Sequence, residues 1–576
     1  MLFQSNPAPS AERRNPTRVA DLLLGILVEA GAEIVFGVPG GAIAPLNDAL
    51  LDCRALRGVT TKHEAGAAFA ACGYARASGR LGVVMVTSGP GVTNAVTGLT
   101  AAHCEGLPVL LIVGEAPRRN YGKNALQDGS SYGLHILESV RNVCKLALEA
   151  YDPYVAPALL RRAISTAFSG RRGPVVLTVP SDVQSAIIAA PDIDLDVSTT
   201  FSIKASVVQC AARELSEAKR PLIFAGSGVR GGAAPARLVE LAERVQAPVM
   251  TTPKGKGVFP EDHPLALGVF GIGGHPSASE YVHGGFDVML AIGTSLGELS
   301  TQNWSDKLRP SRELIHVDIE AAQFGRSYAP TLGIVAPAEQ FLACVNARAL
   351  PCPLDRTVGV RYHTDPRVVL DGDEGRIAPQ RALWELQHSL PPDTVYTVDS
   401  GEHFLFAVHY LKTRLPDTFL AMSGLGSMGS GICSAIGAQA AWPSRTVVSI
   451  CGDGGFTMVG TEISTAVQER LPVIFVVLND RRLGMVELGH DAIYGRNPRY
   501  PIEVDISRLA ESVGARSLVV EHPNELLDAL VRPLPRDLPT VIDVRIDRTV
   551  QMPKNPRFAN IGADNANRKK TLKVFN

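Results

Sequence analysis

The chain has 576 residues, 45% of them hydrophobic and 20% charged, with a net charge of −1. That length suggests three or four domains at roughly 150 residues each. The near-neutral charge gives nucleic acid or an acidic membrane no electrostatic hold. Nine cysteines form no C-x-x-C unit, which argues against a zinc cage or a disulfide framework and fits a reducing compartment.

Met1 to Asn15 is rich in Pro, Ser, Ala and Arg. It lacks the apolar core of a signal peptide, and no stretch of the chain approaches the ~20 apolar residues of a membrane span. A disordered tail (1–15) on a cytoplasmic protein is expected. In residues 16–184, Glu33 to Val38, Leu81 to Thr87 and Val109 to Val113 read as buried strands, each closed by Gly or Pro. Ala65 to Ala77 reads as a helix of small residues. Residues 185–200 form a linker. In residues 201–350 the strands are Leu222 to Gly226, Val288 to Gly293 and Leu314 to Asp318. A second linker, polar and rich in Pro and Asp, covers about 351–375. In residues 376–550 they are Val395 to Asp399, Thr446 to Ile450, Val473 to Leu478 and Val541 to Val544. Residues 551–576 form a tail. Strands alternating with helices predict an α/β chain of three consecutive domains, each on a parallel sheet.

Cys451-Gly452-Asp453-Gly454-Gly455 directly follows an apolar strand. Glycines there permit a sharp turn and close approach of a ligand. A helix expected from about Thr461 to Glu469 would turn its amides to an anion. The next strand ends at Asn479-Asp480, at the edge where open α/β sheets bind ligands. Asp453 and a neighbouring oxygen ligand suit Mg²⁺ that also holds phosphate oxygens. Gly-Asp-Gly alone is a common turn; the ordered strand, turn, helix, strand and Asn/Asp pair make the cofactor reading the stronger one. Glu64 stands where a strand-like run becomes a helix. By itself it would be an acid favoured by the helix dipole.

From about Pro16 to about Thr549 the chain resembles the acetohydroxyacid (acetolactate) synthase and pyruvate oxidase group of thiamine-diphosphate enzymes. The matching stretches are Phe36 to Ala42, Lys62 to Ala68, Gly73 to Ala77, Thr87 to Asn94, Gly424 to Gly429, Cys451 to Phe456, Val477 to Asp480 and Leu483 to Val486. The resemblance implies pyrimidine-binding, central and diphosphate-binding domains. It implies that Glu64 hydrogen-bonds the cofactor's pyrimidine N1′ and activates it. The Gly426 carbonyl would accept from the 4′-amino group, and Met428 would prop the thiazolium, although a methionine also fills core gaps. Asp453 and Asp480 would bind Mg²⁺, with the Arg482 carbonyl as third ligand. Gly41, Gly452, Gly454, Gly455 and Met485 would line the cofactor. Gln127 and Lys145 match a Gln and a Lys near the active site, and each also reads as a surface polar residue. The family implies a homodimer or homotetramer with active sites at subunit interfaces. The substrates implied are a 2-oxo acid, pyruvate first, and a carbonyl acceptor.

The chain departs from the family in four places. The second metal position usually holds Asn and here is Asp480, which adds a negative charge beside an anionic diphosphate. A tryptophan that sizes the acceptor pocket in the synthases is replaced by Gly489; losing a side chain of roughly 150–250 Å² points to a larger acceptor. Neighbouring His490 reads as a proton-transfer group or as a structural hydrogen-bonder. The run that helps hold FAD is replaced by Gly293 to Leu299, so FAD is not expected. The paired histidines of pyruvate decarboxylases are not evident near Asn120 to Gly129. The leading expectation is a carboligase. A 2-oxo acid decarboxylase or flavin-dependent pyruvate oxidase is the alternative within the family. Outside that reaction class stand a non-catalytic cofactor-binding subunit and a nucleotide-binding dehydrogenase built on Gly226-Ser227-Gly228.

Overall fold

The protein was analysed as a computed structural model that describes residues 16–189, 201–363, 376–531 and 534–553. The expected N-terminal tail, most of the first linker, residues 364–375 of the second linker and most of the C-terminal tail lie outside the described residues.

Three six-stranded sheets account for the architecture. The first comprises Ile34–Gly37, Arg57–Thr60, Gly82–Thr87, Val109–Glu115, Leu146–Glu149 and Val175–Pro180. All pairings are parallel. The strands lie in the order second, first, third, fourth, sixth, fifth. The central strands are buried along their length except at Thr87, as continuous Val/Ile/Leu runs in a sheet covered on both faces must be. Arg57–Thr60 and Leu146–Glu149 flank the sheet and are partly exposed; their weak apolar pattern hid them in the sequence. The helix Glu64–Ser78 packs through small residues. A Cβ placed on Gly98 would lie 2.3 Å from the Ala68 Cβ, so the helix Pro90–Glu105 reaches it only through glycine.

The second sheet contains Pro221–Ala225, Val249–Thr251, Ala266–Val269, Val288–Ile292, Glu313–Asp318 and Leu332–Val335, in the order third, second, first, fourth, fifth, sixth. The third contains Val395–Val398, Phe419–Ala421, Val447–Gly452, Ile474–Asn479, Arg516–Val520 and Thr540–Arg545. It repeats the strand order of the first. The expected three-sheet α/β class is therefore observed. The chain forms two compact units, one carrying the first sheet and the other carrying the second and third. Among the described residues no helix is long and apolar enough to cross a membrane.

Within the second unit, three histidines stack together, and two of them, His275 and His409, are buried. His275 and His409 stack with ring centroids 4.7 Å apart, and His363 stacks on His409 at 5.0 Å. The His363 amide donates to His409 Nε2 at 3.0 Å, so His409 keeps its proton on Nδ1, which lies 3.2 Å from the Gly273 and Gly274 carbonyls. His275 Nδ1 accepts from the Val269 amide, and its Nε2 donates to the His409 carbonyl. Both rings are thus neutral, and burial pushes each down to about 3. Unfolded, each takes a proton below about 6.5. The unfolded state binds more protons between these values, so this stability is fully present above pH 6.5 and is lost as pH falls toward 3. The thermal midpoint should drop between pH 7 and pH 5, and His409→Gln should flatten that slope. A midpoint independent of pH over this range would contradict the assignment.

Candidate active site

In the third sheet the order of strands reverses between Val395–Val398 and Val447–Gly452. Ligands of doubly wound sheets bind in the crevice that such a reversal opens at the carboxyl ends of the strands. One wall begins at Asp399 and the other at Gly452. The helix after Val447–Gly452 starts at once, as Asp453–Val459, followed by Ile463–Gln468. The helix expected from about Thr461 to Glu469 is thus observed as Ile463–Gln468, and the helix Asp453–Val459 before it is additional to the sequence reading. Two glycines in the first turn look like a loop by propensity, but packing requires them. A Cβ on Gly455 would sit 2.2 Å from Asp399 Oδ2, and one on Gly454 would sit 2.8 Å from the Met428 methyl.

Asp399 accepts from the amides of Gly429 at 2.7 Å and Gly431 at 3.0 Å. These bonds anchor the start of the helix Ser430–Ala441. Asp453 Oδ1 accepts from the Gly454 amide at 2.8 Å, and Oδ2 from the Arg482 amide at 3.1 Å. Asn479 is committed elsewhere. Its amide donates to Asp543 at 2.8 Å and its oxygen accepts from the Arg481 amide. The next side chain, Asp480, is the one beside Asp453. Burial and Asp480 together push Asp453 up to about 7; burial also raises Asp480.

A third carboxylate belongs to this place. Glu402 opens the helix Glu402–Tyr410. Burial and then Asp480 push it up to about 7, with Arg482 opposing. A Cβ on Gly484 would meet Glu402 Oε2 at 2.6 Å and Asp480 Oδ2 at 2.7 Å. The Arg482 guanidinium compensates only in part. Its Nε donates to Asp480 at 2.8 Å, and a terminal nitrogen lies 3.5 Å from Glu487. Like charges gathered in a buried place disfavour ionisation, and a cation relieves them. The donors are hard oxygens, the chemistry that suits Mg²⁺. Among the described residues no group of three His, Cys, Asp or Glu is arranged to hold a metal by side chains alone. A cation at Asp453 and Asp480 therefore needs main-chain or ligand oxygens as well.

Among the described residues, the buried His403 Nε2 and Ser427 Oγ have no hydrogen-bond partner. His403 is 7% exposed, and its ring lies against Gly452, where a Cβ would come within 3.1 Å of Nδ1. Burial pushes it down to about 4. Buried polar atoms are normally paired, so these two suit an oxygen-rich ligand. Sequence reading missed Glu402 and His403. The available signal was Ser400-Gly401-Glu402-His403 following an apolar strand, the same small-then-polar pattern as Gly452-Asp453.

Gly426 is left-handed, with φ +72°. Met428 is half-buried and Met485 packs on the third sheet's core. Gly489 lies on the buried side of the helix Gly484–Tyr494. His490 Nδ1 is 2.8 Å from the Arg496 carbonyl.

In the first unit the corresponding edge gathers Glu64, Gly41 and Gln127. Glu64 begins its helix, is 8% exposed, and accepts from Asn94 Nδ2 at 2.9 Å. The helix start is served by His63, whose Nδ1 accepts from the Ala65 amide. Gly41 stands in the turn Gly41–Ile43, with open space where a Cβ would be. Gln127 lies against Gly89, where a Cβ would meet its Cγ at 3.2 Å. Lys145 does not join them. It precedes the strand Leu146–Glu149 at the opposite edge, and its Nζ donates to the carbonyls of Thr166 and Ser169 at 2.7 and 2.5 Å. In this chain it closes the end of the helix Ala156–Phe168. The sequence match gave its register but not which end of the strand it occupies.

In the second sheet, Gly226 and Gly228 are spacers. A Cβ on either would come within 3 Å of Gly293, which favours a packing role over a nucleotide loop.

Two doubly wound sheets of the same strand order, one with a carboxylate-rich crevice at its switch point, place the chain among ligand-binding α/β proteins. The chain belongs to the thiamine pyrophosphate enzyme family. It matches the N-terminal TPP binding domain over residues 17–133, the central domain over 208–345 and the C-terminal TPP binding domain over 399–544. It is 34% identical to a probable acetolactate synthase large subunit of Methanocaldococcus jannaschii, across 94% of both chains. It is 33% identical to the acetolactate synthase isozyme 3 large subunit of Escherichia coli K12, across 88% of this chain and 90% of that one. The fold is shared with a thiamine diphosphate-dependent 4-hydroxybenzoylformate decarboxylase of Rhodococcus jostii RHA1. That match has a TM-score of 0.82 at 24% identity, over 92% of this chain and 99% of that one.

Proposed function

We propose that this protein is an acetolactate-synthase-like carboligase that uses thiamine diphosphate and Mg²⁺. It decarboxylates a 2-oxo acid, pyruvate first, and transfers the remaining acyl unit to a carbonyl acceptor. The observation that carries the reading is the second unit's cluster of Asp453, Asp480 and Glu402 at the switch point of its sheet, where burial raises all three carboxyls; in the first unit, taken by itself, Glu64 is held by Asn94 while His63 serves the helix start. Bound thiamine diphosphate supplies the carbanion-stabilising centre. Asn94 holds the Glu64 carboxylate in place to polarise the pyrimidine. Asp453 and Asp480 hold the cation, and His403 and Ser427 offer polar atoms to the diphosphate. Gln127 is a substrate-side candidate, and Gly489 with His490 forms part of the acceptor pocket. A homodimer or homotetramer, with sites between copies, completes the reading. Nine free cysteines support a reducing, cytoplasmic setting.

Mass spectrometry of products from pyruvate with a panel of aldehydes and 2-oxo acids, cofactor and Mg²⁺ supplied, tests the function. Coupled products carry the reading; acetaldehyde alone indicates a decarboxylase, and oxygen-dependent acetate or acetyl phosphate an oxidase. For the metal, Asp480→Ala should raise the Mg²⁺ concentration that supports cofactor binding by about tenfold or more. An unchanged Mg²⁺ titration would remove Asp480 from the ligand set.

A further inference from the structure

We propose that Glu115 is a positioning residue for Gln127, tying the loop of residues 118–135 to the carboxyl edge of the first sheet. The proposal rests on reading that edge as part of the active site. Glu115 ends the strand Val109–Glu115 and is 2% exposed. Its Oε1 accepts from Ser88 Oγ at 2.7 Å, in the turn before Gly89. Its Oε2 accepts from the Gly129 amide at 3.1 Å, in the loop. A Cβ on Gly129 would lie 2.3 Å from Glu115 Oε1 and 2.5 Å from Ser88 Oγ, so glycine is needed for the loop to come this close.

Two residues before this attachment, Gln127 has φ +56°, and Asn124 and His135 are also left-handed, at +54° and +51°. Side chains persist in that region only where the surroundings over-determine the backbone. Asp128 supplies part of the constraint inside the loop, accepting from the amides of Gly122 at 2.9 Å and Ser130 at 3.1 Å. Arg118 secures the loop's start on Asp182 at 2.8 Å. Glu115 secures its middle to the sheet, two residues from Gln127.

The attachment responds to pH. Burial pushes Glu115 from its ordinary 4.5 up to about 7. Glu149, on the strand Leu146–Glu149, and Asp128, in the loop, add repulsion; Tyr121 donates to Glu149 at 3.3 Å. Protonated, Glu115 donates to Ser88 and still accepts from Gly129. Ionised, it is a buried charge facing two further carboxylates. An open loop would return it to its ordinary range. The closed loop therefore binds the proton more tightly: closure is strongest below about 4.5 and is lost as pH rises through about 7. Glu115→Gln is permanently neutral and keeps one donor for Ser88 and one acceptor for Gly129. Glu115→Ala keeps neither.

Hydrogen exchange of the full chain, without cofactor or substrate, tests this between pH 5 and pH 8. Rates are corrected for intrinsic pH dependence, with the strand Val109–Glu115 as internal reference. In the wild type, protection of residues 118–135 should fall by about tenfold or more toward pH 8. The Gln variant should stay protected throughout, and the Ala variant should be unprotected at both ends. Wild-type protection independent of pH, or an equal fall in the Gln variant, would overturn the proposal. The readout needs no turnover, so a responsive loop in a chain without carboligase activity would sink the functional reading and leave the attachment standing.

Discussion

Glu64→Gln is expected to keep thiamine diphosphate binding and to lower turnover by about 10²–10⁴-fold, the usual range for one proton-transfer or polarising group. The change is nearly isosteric and removes only the negative charge. Asn94 still has an oxygen to which it can donate, across the 2.9 Å contact. The helix Glu64–Ser78 loses little, because His63 serves its first turn and a terminal acid contributes only about 0.3–1 kcal/mol through the dipole. Cofactor binding by calorimetry and product formation by mass spectrometry should therefore separate. Equal turnover in variant and wild type would end the activating role of Glu64. Loss of binding and turnover together would make it a binding residue instead.

Glu261→Ala is expected to destabilise the second unit by about 3–5 kcal/mol, the cost of stranding a buried charge. Lys256 is fully buried, and its ammonium lies 2.5 Å from Glu261 Oε1 and 5.8 Å from the centre of the Phe419 ring. Burial lowers the Lys256 pKa while Glu261 opposes that shift. The other Glu261 oxygen accepts from the Thr413 amide at 2.8 Å, and the Glu261 amide donates to the Thr413 carbonyl at 2.9 Å. The pair thus fastens the segment after Val249–Thr251 to the chain entering Phe419–Ala421. Removing both charges, as Lys256→Met with Glu261→Leu, should recover most of the loss, since an apolar replacement of a buried pair is often neutral. Denaturant midpoints measure both. A single variant within about 1 kcal/mol of wild type would show that water or rearrangement compensates the lysine.

The strands Val109–Glu115 and Ile474–Asn479 were legible because both faces are buried, which forces an unbroken apolar run. Arg57–Thr60, Leu146–Glu149 and Arg516–Val520 were not, because partial exposure blurs the pattern. Asp453–Val459 was missed because glycine has low helix propensity, while contact with Asp399 and Met428 leaves room for nothing larger.

The sequence alone determined the three-sheet α/β class, the cofactor family and the candidates Glu64, Asp453 and Asp480. Each of these is written in residues adjacent along the chain, where a strand ends and a helix begins. Only the tertiary structure decided which strand ends are neighbours. It put Glu402 and His403 beside Gly452 and Asp480, fastened Glu115 to Gly129 and Ser88, and sent Lys145 to the far edge. The reason is physical: local pattern fixes the period of an element, whereas strand order follows from crossovers and long-range burial, and the crevice exists only where that order reverses.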